Sequence, residues 1–336
     1  MIKERKSNIE LLRVIVMFMI LLLHANIFTF GWPEGDTLTV VSRLSMESLT
    51  IIAVNVFVLI TGYFGTSFKI SKIANILFQI IFTVFTLSLA LIALGLFQFS
   101  SWKELIHGFY FWNYWFLNSY LVLVVISPIL NLAVNMMKQS SLRFLLIVMF
   151  VILSLFDGDF FISPPGIGAN SGYSAIWFMF VYLLGRYLKR YPANFNLRSL
   201  VVVYLIGLIG SIILMLYCHD YGYNSPFILM QSIAFFLFFL KMDFTSKTIN
   251  FIASSSLMVF LVHCHPILVE YYKGTIRSLN SECGNGLMFI LFLLGFCVIV
   301  YCAAICFDQL RKCVWRLLEP RIKTYDKYLT LDVIKE

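Results

Sequence analysis

The chain has 336 residues, 60% of them hydrophobic and only 12% charged, with a mean hydropathy of +0.89. Soluble domains carry roughly 25% charged residues, so this composition excludes a soluble enzyme and indicates a polytopic membrane protein. The net charge of +8 suggests nucleic acid only until the basic residues are placed along the chain.

The start, MIKERKSN, imitates the basic region of a signal peptide. The apolar run behind it is longer than a usual signal core and no A-x-A-like site closes it, so it is expected to stay as an uncleaved first span. That run, NIELLRVIVMFMILLLHANIFTF, carries Glu10, Arg13 and His24. Eleven residues at about 100° each bring Arg13 and His24 within about 20° of one helix face, roughly 16 Å apart along the axis. Glu10, one turn before Arg13, joins the stripe. Charge in hydrocarbon costs a few kcal/mol or more, so the stripe is expected to face a polar internal cavity.

Further apolar runs fall near 45–66, 73–98, 112–135, 142–157, 173–188, 198–218, 226–241, 250–272 and 286–310. The expected fold is an all-α membrane protein of about ten transmembrane helices around that cavity, with both termini cytoplasmic. Of the 25 Lys and Arg, only Arg43, Lys103, Lys273 and Arg277 then lie outside, leaving 21 on the inner side. This positive-inside bias accounts for the net charge without nucleic acid. The domain expected over residues 1–311 is the transmembrane one, and 312–336 form a basic cytoplasmic tail at the membrane surface.

Polar exceptions within or beside the spans form a short set. Lys69 and Lys72, at the inner start of the third run, are open to two readings: topology anchors, or point charges for a phosphorylated cosubstrate alongside Arg13. The aromatic run FYFWNYWFLNSY, Phe109 to Tyr120, reads either as a headgroup-level belt or as a platform for sugar rings. In the second case Trp115 and Tyr120 stack and Asn113 and Asn118 hydrogen-bond. The Gly- and Pro-rich stretch Asp157–Tyr173 reads as an outer lid or acceptor loop. In the ninth run, His263 and His265 point to different faces of a helix, which argues against a metal pair. One of them is suited to line the route of His24, the other to sit at the interface. No metal is expected. The seven cysteines contain no C-x-x-C pair and suit small apolar filling, with Cys218 and Cys283 placed where an oxidising compartment would let them pair.

In order and spacing, these segments resemble the acyltransferase-3 family of bacterial integral-membrane acyltransferases, which includes O-antigen and capsule O-acetyltransferases. The resemblance rests on NIELLRVIVMFMILLLHA at Asn8, NVFVLITGYF at Asn55, YWFLNSYLVLVVISPILN at Tyr114 and SSSLMVFLVHCHP at Ser254. It implies transfer of an acyl group, usually acetyl from acetyl-CoA, to a carbohydrate hydroxyl in the bacterial cytoplasmic membrane. His24 maps to the family's supposed catalytic histidine and Arg13 to its arginine. Where the family often has Arg-x-x-Arg, this chain has Lys69-Ile-Ser-Lys72, which keeps the charge and loses the bidentate fork.

The expected partners are therefore the bilayer, acyl-CoA and a polysaccharide or lipid-linked glycan, with the oligomeric state open. The expected catalytic group is His24 with Arg13 and Glu10, the donor-binding group is Arg13, Lys69 and Lys72, and the acceptor-binding group is Trp115, Asn118, Tyr120 and His263. A histidine's ordinary pKa of about 6.5 suits a base at neutral pH, and acylation of the imidazole is the other route. The rival from another class is a transporter or flippase of lipid-linked saccharides, which needs the same polar path.

Overall fold

The computed structural model describes residues 6–98, 114–156, 168–284 and 286–327. It is 81% helix, with no strand among the described residues. In chain order the helices are α1 (Ser7–His24), α2 (Ile27–Phe30), α3 (Thr37–Ile51), α4 (Ala53–Phe64), α5 (Ile70–Ala93), α6 (Trp115–Met136) and α7 (Gln139–Phe150). They continue as α8 (Ala175–Arg190), α9 (Leu197–Cys218), α10 (Pro226–Leu240), α11 (Lys247–Ala253), α12 (Ser256–His263), α13 (Leu268–Cys283) and α14 (Leu287–Lys323). Helix occupies part of each of the ten apolar runs. Among the described residues six helices qualify as membrane spans by length and composition, or up to seven if a bent pair counts as one; Gln139–Leu155 and Pro226–Leu240 are apolar but shorter.

Two differences from the expected spans have local causes. The second run begins earlier, at Thr37, because the Asp36 carboxylate accepts the Thr39 amide at 2.8 Å and caps the helix. That hydrogen bond holds the Asp36 carboxyl below its ordinary pKa. The ninth run is not one helix: it ends at His263 and resumes at Leu268 with a bend of 86°. Pro266 explains the break, since it lacks an N–H and disfavours helical backbone at His265 before it. The last helix runs without interruption to Lys323, well past the apolar stretch.

The chain divides into two units, one taking in residues 1–67 and 119–253 and the other 68–118 and 254–332. In the first unit the start of α1 is tied down by polar contacts. Ser7 Oγ donates to Asn250 at 2.9 Å, and Asn8 Nδ2 to the Phe239 carbonyl at 3.0 Å. Helices α4 and α8 pack at backbone contact, where a Cβ on Gly62 would collide with the Tyr182 carbonyl and one on Gly185 would stand 2.7 Å from the Leu59 carbonyl. Small residues allow this close approach, as in lipid-embedded helix pairs generally. In the second unit α5, α12 and α14 pack together through Phe78 against Trp315 and Thr83 against Met258. A buried ion pair, Arg311 to Asp308 at 2.6 Å, reaches across to Asn75 at 3.1 Å. Asp326 accepts the Ser71 amide at 2.9 Å and its hydroxyl, closing the first turn of α5. These bonds, and Lys69 nearby, hold the Asp326 carboxyl below its ordinary pKa.

Candidate functional site

In the first unit α1 is continuous from Ser7 to His24, so the interval between Arg13 and His24 is spanned by regular helix. Arg13 Nη1 meets Glu10 Oε1 at 2.6 Å, and the Glu10 side chain is 7% exposed against 33% for Arg13. The pairing offsets part of the cost of placing two charges inside an apolar helix. His24 is the last residue of α1, where the helix dipole favours a developing positive charge on an imidazole. Its carbonyl accepts the Thr29 hydroxyl at 2.6 Å, and its ring, half-buried, lies 4.9 Å from that of Phe28.

The break after His24 is held from α3. Asn26 Nδ2 donates to Glu47 Oε2 and to the Arg43 carbonyl, both at 2.8 Å. Arg43 Nε donates back to Asn26 Oδ1 at 3.1 Å and Nη2 to the Gly31 carbonyl at 2.8 Å. Glu47 is buried. Sequence reasoning missed Glu47, although an acid two residues into the second expected span was a signal of the same kind that singled out Glu10.

A second polar group in the same unit stands between α4, α6 and α8. Tyr182 donates its hydroxyl to Asn131 Oδ1 at 2.8 Å and accepts the Thr66 amide at 3.1 Å, while Asn131 Nδ2 donates to the Thr66 carbonyl at 2.8 Å. Tyr120 hydrogen-bonds the Thr61 hydroxyl and lies in electrostatic reach of Arg13 and of Tyr182, and Tyr182 in reach of Arg186. Glu10, Arg13 and Tyr120 are therefore in one unit, with Tyr120 in electrostatic reach of Arg13.

The remaining expected site residues lie in the second unit. Lys69 is the N-cap of α5, its carbonyl accepting the Lys72 amide at 3.1 Å. Trp115 and Asn118 form the first turn of α6, with Phe116 and Tyr114 against Phe260 at 5.7 and 6.0 Å. His263 is buried, its Nδ1 donating to the Val259 carbonyl at 2.7 Å, which leaves Nε2 facing Cys264 Sγ at 3.3 Å. His265 Nδ1 accepts the Ile267 amide at 3.3 Å and so serves the turn into α13. No cysteine, Cys218 and Cys283 included, is in a disulfide. Asn113 and most of the expected outer loop, residues 157–167, lie outside the described residues.

Residues 6–308 match an acyltransferase domain, that of the acyltransferase-3 family, over nearly the whole chain. The chain belongs to the acyltransferase-3 family. It is thus a membrane acyltransferase, as the order of its segments implied. No curated protein and no solved structure matches it. Within this acyltransferase the histidine of the first span closes a helix above a paired arginine. That is a disposition able to accept a proton from a hydroxyl nucleophile if an acyl donor reaches it.

Proposed function

We propose that the protein is an O-acyltransferase of the bacterial cytoplasmic membrane that moves acetyl from acetyl-CoA to a hydroxyl of a cell-surface polysaccharide or its lipid-linked precursor. The observation that carries this reading is His24 at the dipole-negative end of a helix whose Arg13 is paired with buried Glu10, in a chain of the acyltransferase-3 family. In this reading ten spans keep both ends cytoplasmic and 21 of the 25 basic residues lie on that side, the side from which the donor is delivered.

In this reading the donor's phosphates are met by cations on the cytoplasmic side, Arg13 among them and Lys69 and Lys72 as point charges. Glu10 holds Arg13 in place. The thioester is carried toward His24, which takes the proton of the attacking sugar hydroxyl as that oxygen bonds the acyl carbon and the thiolate of CoA departs. Trp115, Asn118, Tyr120 and His263 are the acceptor-side residues of the reading. Tyr120, beside Arg13, is as well placed to line the donor path.

The test is incubation of the purified protein in lipid with radiolabelled acetyl-CoA and candidate glycans. Label appearing on the glycan supports the reading, and saccharide translocation without label transfer would overturn it in favour of a flippase. The bent pair α12 and α13 is the feature such a transporter would share.

A further inference from the structure

Arg186 is not among the residues to which any role has been given, yet its surroundings are unusual for a cation in an apolar helix. It sits one turn before the C-terminal end of α8, directly after Gly185 at the tight crossing with α4. Its Nη1 lies 2.7 Å from where a Cβ on Gly65 would stand, and Gly65 has φ +76°, so glycine is required there on both counts. The guanidinium thus packs against the bare backbone of Gly65 at the end of α4. Its Nε is buried with no hydrogen-bond partner among the described residues. A buried donor left unmatched is costly, and in a guanidinium more so, which makes an absent acceptor the economical explanation.

The groups around it rank as a path. Tyr182, bonded to Asn131 and Thr66, lies in electrostatic reach of both Arg186 and Tyr120, and Tyr120, bonded to Thr61, lies in reach of Arg13. Lys189 and Arg190 follow Arg186 on the same helix end, so the local charge is positive. Glu10 is already engaged by Arg13.

We propose that Arg186 and Arg13 form an anion site that takes the phosphate-bearing end of the acyl donor. The site rests on the reading of the chain as a transferase fed by a CoA thioester. Guanidinium suits the role because its planar donors match phosphate oxygens in pairs, which the lysines at 69 and 72 cannot do. Tyr182 and Asn131 are bonded to each other and to Thr66, with Tyr182 in electrostatic reach of the guanidinium.

The experiment uses the full chain in nanodiscs with two donors, acetyl-CoA and S-acetylpantetheine, the second having the thioester but no phosphate. Arg186→Gln should weaken CoA binding and raise the KM for acetyl-CoA by about 10- to 100-fold, the worth of a lost charge-assisted hydrogen bond. Its kinetics with S-acetylpantetheine should match wild type. Arg186→Lys should fall between, because charge is kept without the fork. An equal loss with both donors overturns the proposal by making Arg186 structural, and an unchanged CoA affinity overturns it directly. Native mass spectra in which the Gln variant loses a retained phospholipid while keeping CoA affinity would reassign the guanidinium to a headgroup and also overturn it. If wild type itself binds no CoA, the reading of CoA as donor falls and the site with it. If wild type transfers acetyl and Arg186→Gln does so equally well, only the site falls.

Discussion

Two histidines end helices in this molecule, and the two ends are made by different means. Helix α12 stops at His263 because Pro266 stops it, and His263 turns its Nδ1 back to the Val259 carbonyl of its own helix at 2.7 Å. Helix α1 stops at His24 with no proline near it. Its break is held from outside by α3, through Asn26 bonded to Glu47 and Arg43. A break dictated by local sequence needs nothing more to persist. One that depends on a buried carboxylate and an arginine in an apolar helix carries a desolvation cost, and such costs in spans mark positions where geometry matters. His24 is half-buried, whereas His263 is buried with its Nδ1 bonded within its own helix and its Nε2 3.3 Å from Cys264 Sγ. Under the proposed function, that contrast favours His24 over His263 as the base.

The largest expected effect breaks the comparison outright. His24→Gln keeps size and hydrogen bonding but cannot accept a proton near neutral pH, so acetyl transfer should fall by at least about 10²-fold with CoA affinity retained. His263→Ala should leave turnover within a few-fold of wild type. If turnover instead survives in the first variant and vanishes in the second, the base sits on α12 and the ranking is reversed.

Next in size, Glu47→Ala should destabilise the protein by about 1–3 kcal/mol, because the Asn26 amide loses its buried acceptor. A thermal unfolding scan of the detergent-solubilised protein measures this. Glu47→Gln restores an acceptor and should recover most of the loss. Pro266→Ala sharpens the same comparison from the other side: hydrogen exchange in the Cys264–Ile267 connection should slow if proline alone enforces that break.

The smallest effect concerns the cap on α5. The Asp326 carboxyl has a lower pKa in the folded protein than its ordinary value of about 3.8, through its bonds to Ser71. A depressed carboxylate stabilises above its unfolded pKa and loses that contribution as pH falls through the folded one. Asp326→Ala should therefore lower the unfolding temperature slightly at pH 7, and the difference from wild type should shrink in strong acid. A constant difference across that range would mean the charge of Asp326 is irrelevant to the cap.

The sequence by itself determined the membrane class, the all-helical fold, the family and the Arg13–His24 spacing. All of these follow from features that repeat within a few residues: hydropathy over a span, and a helical bond from each residue to the one four before it. Even the Pro266 break was legible in principle, and reading 250–272 as one helix overlooked it. Only the tertiary structure decided which polar side chains meet. Asn26 finds Glu47 across 21 residues, Tyr182 finds Asn131 across 51, and Ser71 finds Asp326 across 255. It also brought Tyr120 into electrostatic reach of Arg13, and it left Arg186 against Gly65 with an unmatched donor. Such meetings depend on how closely helices approach, which here turns on Gly62 and Gly185 allowing backbone contact. No spacing rule within one segment carries that information.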